Sequence, residues 1–587
     1  MIRLPMMKPF PVFGLFILLS SSLLRAGSLT EDRKYQPVVI KANASYSGDG
    51  ANVSLFRGFL NTSVGDLYLY RYGSSDGTWS MMPYQIDERT RGPDPVKGGD
   101  SSWFYIILPD WSVREHDGRF NGLDELVFLI GDMGDRAPAD AWIDDAESRA
   151  HGRLELTVQD SLDPDKKAYA YLYRSATITE PVPAPYDFAY DPETDRIDTR
   201  YYFLKHDRHG VIEDIGIKPP GGDGRDLLDV LKLRFSGVID AFQPLDIILT
   251  ENNFDLFPDE VYTSPRPVVR LIRQAKQAVR IFTILLEDTP FWLRTHYYPF
   301  SGTIETGASI YKEDLDAMFP DADITIVMRY ARQSWDFNEN ARGMRFFNPY
   351  NRDIPVDGMR DDVDLTVDVP VNAWSLLTGD PGSVFTLMQL TEQNWDQVRL
   401  YYHDSASGGQ ADSAQFGVYD TGDGRSFGDH GIWLRNIGRD SLTFDLNLTT
   451  YFIPEKNLDW LDVGRIRDMA LNPLAISSAV QPFVETGVSA REGEIREFRL
   501  EQNTPNPFNG STEIPFALTR ASAVRLVILD IRGRTIRTLI SGRLDAGAHR
   551  AVWDGRDDRS GPVSSGIYLC RLDTDEGVRT RKLILTQ

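Results

Sequence analysis

Two short stretches bring together side chains able to do carbohydrate chemistry. RTHYYPF at 294–300 and LYYHD at 400–404 set Arg294, His296, Tyr298, Tyr402 and His403 on expected strands. Lyase cleavage of an acidic polysaccharide needs a base for the proton beside a carboxylate and a cation to neutralise that carboxylate, and Tyr or His with Arg can fill those roles. Alternating strands also place such residues on solvent faces routinely, so the same set is compatible with a surface without catalysis.

Acidic glycine loops are the second chemical signal. Asp420, Asp423 and Asp429 in DTGDGRSFGD could wrap a hard cation, with calcium the cofactor such oxygen ligands suit, and Asp117, Asn121, Asp124 and Glu125 form a similar group. The second group does not follow EF-hand spacing, because Arg119 and Phe128 stand at what would be its third and twelfth positions. For both loops a solvated acidic turn is the competing reading. His206 and His209 in KHDRHG could ligate a metal only if the loop brought both rings together. No P-loop, HExxH, GxSxG or nucleophilic cysteine motif is present. A binding surface is the alternative to catalysis, with Trp79, Trp103, Trp111, Trp292, Trp395 and Trp433 as stacking platforms for sugar rings.

These residues must be positioned mainly by strands. Val363, Leu365, Val367 and Val369 alternate with polar residues, as do Leu442, Phe444, Leu446 and Leu448, and period two puts one face in a core and the other in water. RLELTVQD at 153–160 and QVRLYYHD at 397–404 repeat the pattern, while LYLYRY at 67–72 and AYLYR at 170–174 look alike. Gly-, Pro- and Asp-rich breaks fall at 90–100, 180–195 and 218–226. RLIRQAKQAVRIF at 270–282 fits a helix face or a strand, and a strand pair is preferred.

Composition bounds the rest. The 587 residues include 63 Lys and Arg against 86 Asp and Glu, a net charge of -23 with no segregated basic patch, which argues against nucleic acid as a partner. Arg3 and Lys8 precede an apolar run from Phe10 to Leu24 that ends at Ala26, Gly27 and Ser28, the anatomy of a signal peptide over 1–26. No later apolar stretch is long enough for a transmembrane segment, so a soluble mature chain is expected. Cys570 is the single cysteine, which rules out intramolecular disulfides.

The last ninety residues carry the most legible pattern. Strands are expected near 513–518, 524–531, 534–540, 548–553, 566–573 and 577–585, with turns at Asp530–Arg534 and Trp553–Asp557. The opening EQNTPNPFNG has two prolines that stiffen the entry and keep it from pairing as an edge strand. This tail resembles the type A, Ig-like C-terminal sorting domain of bacterial type IX secretion cargo. The resemblance lies in a QN-x-PNPFN opening (Asn503, Pro505, Asn506, Pro507, Phe508, Asn509) and a D-x-x-GR hairpin with Gly533. It continues in a WDGRD-x-x-G turn (Trp553, Asp554, Gly555, Asp557), an SG-x-Y strand (Gly566, Tyr568) and the basic-apolar end TRKLIL. Gly510 replaces a third proline and the chain ends on Gln587 where a basic residue is common. The resemblance implies export by signal peptide, then recognition of the folded tail by outer-membrane secretion machinery, leaving the protein extracellular or on the outer surface of a Gram-negative-type cell. An Ig-like module that only spaces or binds is the alternative. Upstream, TWSMMPYQIDER at 78–89 with FNGLDELVFLIGDMGDR at 120–136 resembles the opening β-domain of secreted bacterial proteins, polysaccharide-degrading ones among them.

The expected fold is therefore mainly β and multi-domain, with β-sandwich or barrel domains and a C-terminal Ig-like β-sandwich. The expected boundaries are an N-terminal β domain at 27–179, a central β-sandwich at 196–465, a linker at 466–497 and the tail at 498–587. The expected function is that of a secreted or surface protein whose body interacts with extracellular carbohydrate. A polysaccharide lyase or glycoside hydrolase is the first alternative and a structural adhesin the second.

Overall fold

The computed structural model describes residues 28–48, 51–92, 102–105, 118–240, 244–264, 267–281, 284–286, 292–311, 325–365, 373–390, 398–407, 425–439, 441–483, 498–545, 547–558, 561–575 and 577–586. The chain is mainly β, and its sheets stack as sandwiches.

The N-terminal part centres on a five-stranded sheet whose strands run, in spatial order, Leu474–Gln481, Arg153–Asp160, Lys167–Arg174, Leu67–Gly73 and Thr78–Met81. The two look-alike stretches are neighbours in it: Tyr70 lies opposite Tyr171, Leu69 opposite Leu172 and Tyr68 opposite Tyr173. Period two then sends Leu67, Leu69, Ala168, Ala170 and Leu172 into one core, while Tyr70, Tyr72, Tyr171 and Tyr173 form an aromatic layer on the other face. Arg153 lies in that layer, its guanidinium 4.7 Å from the Tyr171 ring centre and 5.3 Å from Trp79. Trp79 is thus a packing residue rather than an open platform.

The central part is a sandwich of a five-stranded and a ten-stranded sheet. Leu231, Trp335, Leu400 and Ile432 from the first meet Tyr297, Val384, Leu448 and Phe452 from the second in one apolar core. Residues 270–282 resolve in favour of a strand, Leu271–Ile281.

The expected linker is corrected over its first half. Residues Trp460–Leu471 form a helix, capped by Asp459, whose carboxylate accepts from the Leu461 and Asp462 amides. Val463, Ile466 and Met469 give it a narrow buried stripe against Tyr298, Phe385 and Tyr451 of the ten-stranded sheet and Val127 and Leu129 of the N-terminal part. Leu474–Gln481 then returns to the N-terminal sheet and pairs along the whole of Arg153–Asp160. These residues looked like a linker because an edge strand with one face in water needs only small apolar residues.

Arg270 ties the two parts together. It is buried and donates to Asp87 at 2.8 and 2.5 Å and to Glu125 at 2.8 Å, while Arg89 takes the other Glu125 oxygen at 2.7 Å. Asp124 accepts from the Arg89 and Asn121 amides. The acidic group around residue 124 is therefore committed to arginines and backbone, not to a cation; Asp117 lies outside the described residues.

The tail is a two-sheet sandwich of three and four strands. Its strands, Thr512–Leu518, Ser522–Leu529, Thr535–Leu544, Gly547–Trp553, Gly566–Thr574 and Gly577–Leu585, follow the sequence expectation closely. Its core draws only on residues 498–585.

Candidate functional site

The outer face of the ten-stranded sheet, away from the sandwich core, carries a polar ladder. Cross-strand register sets Gln274 opposite Arg294, Arg294 opposite Glu305, Glu305 opposite Asn447 and Asn447 opposite Gln389. Directly opposed residues share a face, so these register positions form one row, with the side chains of Gln274 and Arg294 at one end and those of Asn447 and Gln389 at the other. The next row holds Ile272, His296, Thr303, Thr449, Leu387 and Trp374 in the same way. Thr303 and Thr449 hydroxyls lie 3.2 Å apart. A third row, with Tyr298, Tyr451, Phe385 and Leu376, is apolar and packed under the helix and the N-terminal part.

The ladder runs from a buried end to an open one. Gln274, Arg294 and His296 are buried, whereas Gln389 and Asn447 are exposed. Arg294 donates its Nε–H to Gln274 Oε1, which turns the Gln274 amide nitrogen away. That nitrogen is buried and has no hydrogen-bond partner among the described residues, and a buried donor left unmade costs about 1–3 kcal/mol. Donors, acceptors and hydroxyls in register on a rigid sheet can satisfy the ring hydroxyls of a sugar chain lying across the strands.

The structure divides the five catalytic candidates. Arg294, His296 and Tyr298 follow one another along one face of Trp292–Tyr298, with Tyr298 in the apolar row beside Arg270, where burial raises its phenol pKa. Tyr402 and His403 belong to the opposing five-stranded sheet. Tyr402 packs against the sandwich core, its ring 4.4 Å from Phe346, and burial followed by the charges of Asp404 and Asp361 raises its pKa. The lyase quintet is therefore not assembled as one site: the ladder lies on the far side of the ten-stranded sheet from Tyr402, and His403 is on the outer face of the other sheet.

His403 belongs to a second polar field. It lies opposite Asp429 in register, and on the same outer face Lys232 and Asp336 form a buried ion pair at 2.6 Å and the Arg332 guanidinium sits 4.2 Å from the Tyr401 ring centre. Asp429 is buried within the Ser426–Arg439 strand, which corrects its placement in a cation-binding loop; Asp420 and Asp423 lie outside the described residues. His206 and His209 do not converge on a metal. His206 contacts Tyr297 Oη through Nε2 at 2.9 Å and the Asp195 backbone oxygen through Nδ1 at 3.1 Å, and His209 Nδ1 contacts the Phe254 carbonyl. Burial alone would raise the Asp195 pKa, but His206 and Arg273 hold it well below the usual carboxylate range.

Sequence reasoning missed Asp404, next to His403. It is buried, its Oδ2 accepts from the Asp357 and Gly358 amides at 2.9 and 3.0 Å, and its Oδ1 has no partner among the described residues. Burial, with the charges of Asp361 and Asp357, pushes it up to about 6. Among the proposed platforms, Trp433 lies tilted against Tyr330 with centroids 5.9 Å apart; Trp103 and Trp292 lie on strands; Trp111 and Trp395 lie outside the described residues.

In the tail, the motif residues are latches of the sandwich itself. Asn506 Oδ1 accepts from the Ile584 amide at 2.8 Å and its Nδ2 donates to the Lys582 carbonyl at 3.2 Å. Phe508 pairs its backbone with Ile584 and Thr586 and buries its ring 5.4 Å from Trp553. Asn503 donates to Thr512 and the Pro505 carbonyl. The entry thus straps the last strand in place, with Pro507 and Asn509 exposed on the strap. The Trp553 indole donates to the Arg556 carbonyl at 2.9 Å and meets Tyr568, whose hydroxyl donates to Ser564 at 2.6 Å. Asp554 accepts from Arg556, Asp557 from Gly561. Gly533 and Gly555 have φ of 78° and 68°, the left-handed region where a side chain is strained, and Gly566 opens a strand opposite Leu585.

The fold defines a class: a mainly β chain ending in an Ig-like sandwich. Residues 502–577 match the FlgD Ig-like domain family. No curated protein matches the chain in sequence. Among solved structures, an α-mannosidase from Enterococcus faecalis is 11% identical over 88% of this chain and 54% of its own, at a TM-score of 0.33. A polysaccharide lyase is 7% identical over 69% of this chain and 46% of its own, at 0.24. Dimeric latent PorU from Porphyromonas gingivalis is 10% identical over 72% of this chain and 36% of its own, at 0.14. The chain spans about half of these proteins or less. At such scores neither its fold nor its activity follows from theirs.

Proposed function

We propose that this is an extracellular or cell-surface protein, exported through a type IX secretion system by its tail, whose body binds polysaccharide on the outer face of the ten-stranded sheet. The observation that carries the binding reading is the row holding Gln274, Arg294, Asn447 and Gln389, ending on a buried amide with no partner among the described residues. A polysaccharide lyase is the second reading, favoured by Arg294 and His296 standing two residues apart on that face as cation and base. A structural adhesin is the third.

The test is a panel of neutral and acidic polysaccharides presented to the mature chain, read for retention, unsaturated product and new reducing ends. Retention without product is expected. Asn447→Ala with Gln389→Ala, both at exposed positions, should weaken it by about tenfold, the scale of two modest hydrogen bonds. Unsaturated product lost in His296→Gln would favour the lyase. Silence in every channel, or retention indifferent to the double variant, would overturn the ladder as the binding face and leave the adhesin reading ahead.

A further inference from the structure

The cations of this acidic chain are not spread evenly. Residues 498–587 hold 14 Lys and Arg, all but one of them Arg, against 10 Asp and Glu, so the tail is net +4 and the remainder -27. This corrects the reading of the sequence as lacking a segregated basic region. The two outer faces of the tail sandwich also differ. On the three-stranded sheet the charges neutralise in pairs, Arg550 with Glu513 and Arg499 with Glu501, both at 2.9 Å.

On the four-stranded sheet the cations outnumber the anions they pair with. Register places Arg525 opposite Asp573 and Ser541, Arg571 opposite Thr580 and Val527, Lys582 opposite Leu569, and Arg543 opposite Ala523. Their strand neighbours Val524, Leu526, Leu572 and Leu583 lie in the core and Leu544, beside Arg543, packs against it, so alternation sends these four cations to the outer face. All four are exposed, and among the described residues of these strands one anion, Asp573, shares the face, paired with Arg571 at 2.9 Å. Exposed Ile567 and Val578 lie among them. A sheet face with arginines around exposed aliphatic side chains has the composition of a protein interface, where Arg is enriched and Lys depleted, and guanidinium groups match carboxylates in paired geometry.

We infer that the outer face of the four-stranded sheet, with Arg525, Arg571 and Lys582, docks the tail onto an acidic protein surface of the export machinery. The inference rests on the export reading above and names the surface and the partner's chemistry. Asn506 of the entry and Trp553 of the turn, by contrast, are engaged in latching the sandwich.

Four forms of the full chain in a bacterium with a type IX system separate the possibilities: wild type, Arg525→Glu with Arg571→Glu and Lys582→Glu, Arg550→Ala on the opposite face, and a chain ending at residue 497. Release into the medium should fall at least tenfold in the triple variant and in the truncation, and stay unchanged in Arg550→Ala. Near-ultraviolet circular dichroism of the purified triple variant checks its fold; if it is altered, Arg525→Gln with Lys582→Gln replaces it. Wild-type release of the folded variant alongside a blocked truncation overturns the docking face and leaves the export reading standing. Wild-type release of the truncation overturns the export reading itself. Co-sedimentation of the purified chain with outer-membrane vesicles should be lost after the vesicles are shaved with protease; retention on shaved vesicles overturns a protein partner in favour of lipid-linked glycan.

Discussion

A carboxylic acid that keeps its proton inside a fold up to about pH 6, and gives it up near 4 once unfolded, makes stability depend on pH with a definite sign. Asp404 is such a group, pushed up to about 6 by burial and by Asp361 and Asp357, and Asp132 and Asp226 are raised to the same value, chiefly by burial. Between about pH 4 and 6 each of these three groups holds more proton in the folded chain than in the unfolded one, so its contribution to stability falls as pH rises through that window, while His430, lowered to about 4 by burial, acts in the opposite sense. Asp195 also acts in the opposite sense, and lower: its pKa is depressed, so its contribution is lost only as the pH falls below the usual carboxylate range. Asp404→Asn should flatten the slope between pH 4 and 6 and raise stability at pH 7 by up to about 2 kcal/mol. Urea denaturation across that range measures it, and an unchanged slope would mean that ionised Asp404 is not penalised in the fold. Nothing in the sequence marked Asp404 apart from the dozens of other carboxylates, because its environment is made by the loop at Asp357 and Gly358 closing over it.

Strands and turns were far more legible than their partners. The tail could be read almost strand by strand because alternation and turn glycines are local signals, and the Tyr and Leu faces at 67–72 and 170–174 were visible as a repeated pattern. That Arg294 and His296 share a face follows from period two alone. That Gln274 stands beside Arg294, and that Tyr402 belongs to another sheet, depends on which strands pair, which no single stretch encodes. Arg270 is the sharpest case: in sequence it is one basic residue of a stretch that fits helix or strand, yet in the fold it neutralises Asp87 and Glu125 between the two parts. Arg270→Met should cost about 3–5 kcal/mol, since it leaves buried carboxylates without their cation. Thermal unfolding reads the loss, and a cost below about 1 kcal/mol would show that Arg89 alone satisfies Glu125.

At the scale of the molecule, charge and packing divide the chain at the same place. The tail core uses residues 498–585 only, whereas one core of the body joins Tyr35 and Val127 to Tyr298, Trp374, Phe385 and Ile466. Calorimetry of the mature chain should therefore show two transitions, one for the body and one for the tail, with only the second lost in a chain ending at residue 497. A single transition for the full chain would mean that the two are energetically coupled.

The return of Leu474–Gln481 to Arg153–Asp160 has a temporal meaning. A ribosome delivers residues 153–160 early and their partner only after nearly the whole body has been made. Until then the unpaired amides and carbonyls of that margin stand open to any other extended chain, the circumstance that invites misassembly. The N-terminal sheet is thus sealed from behind, by one of the last strands of the body to be made.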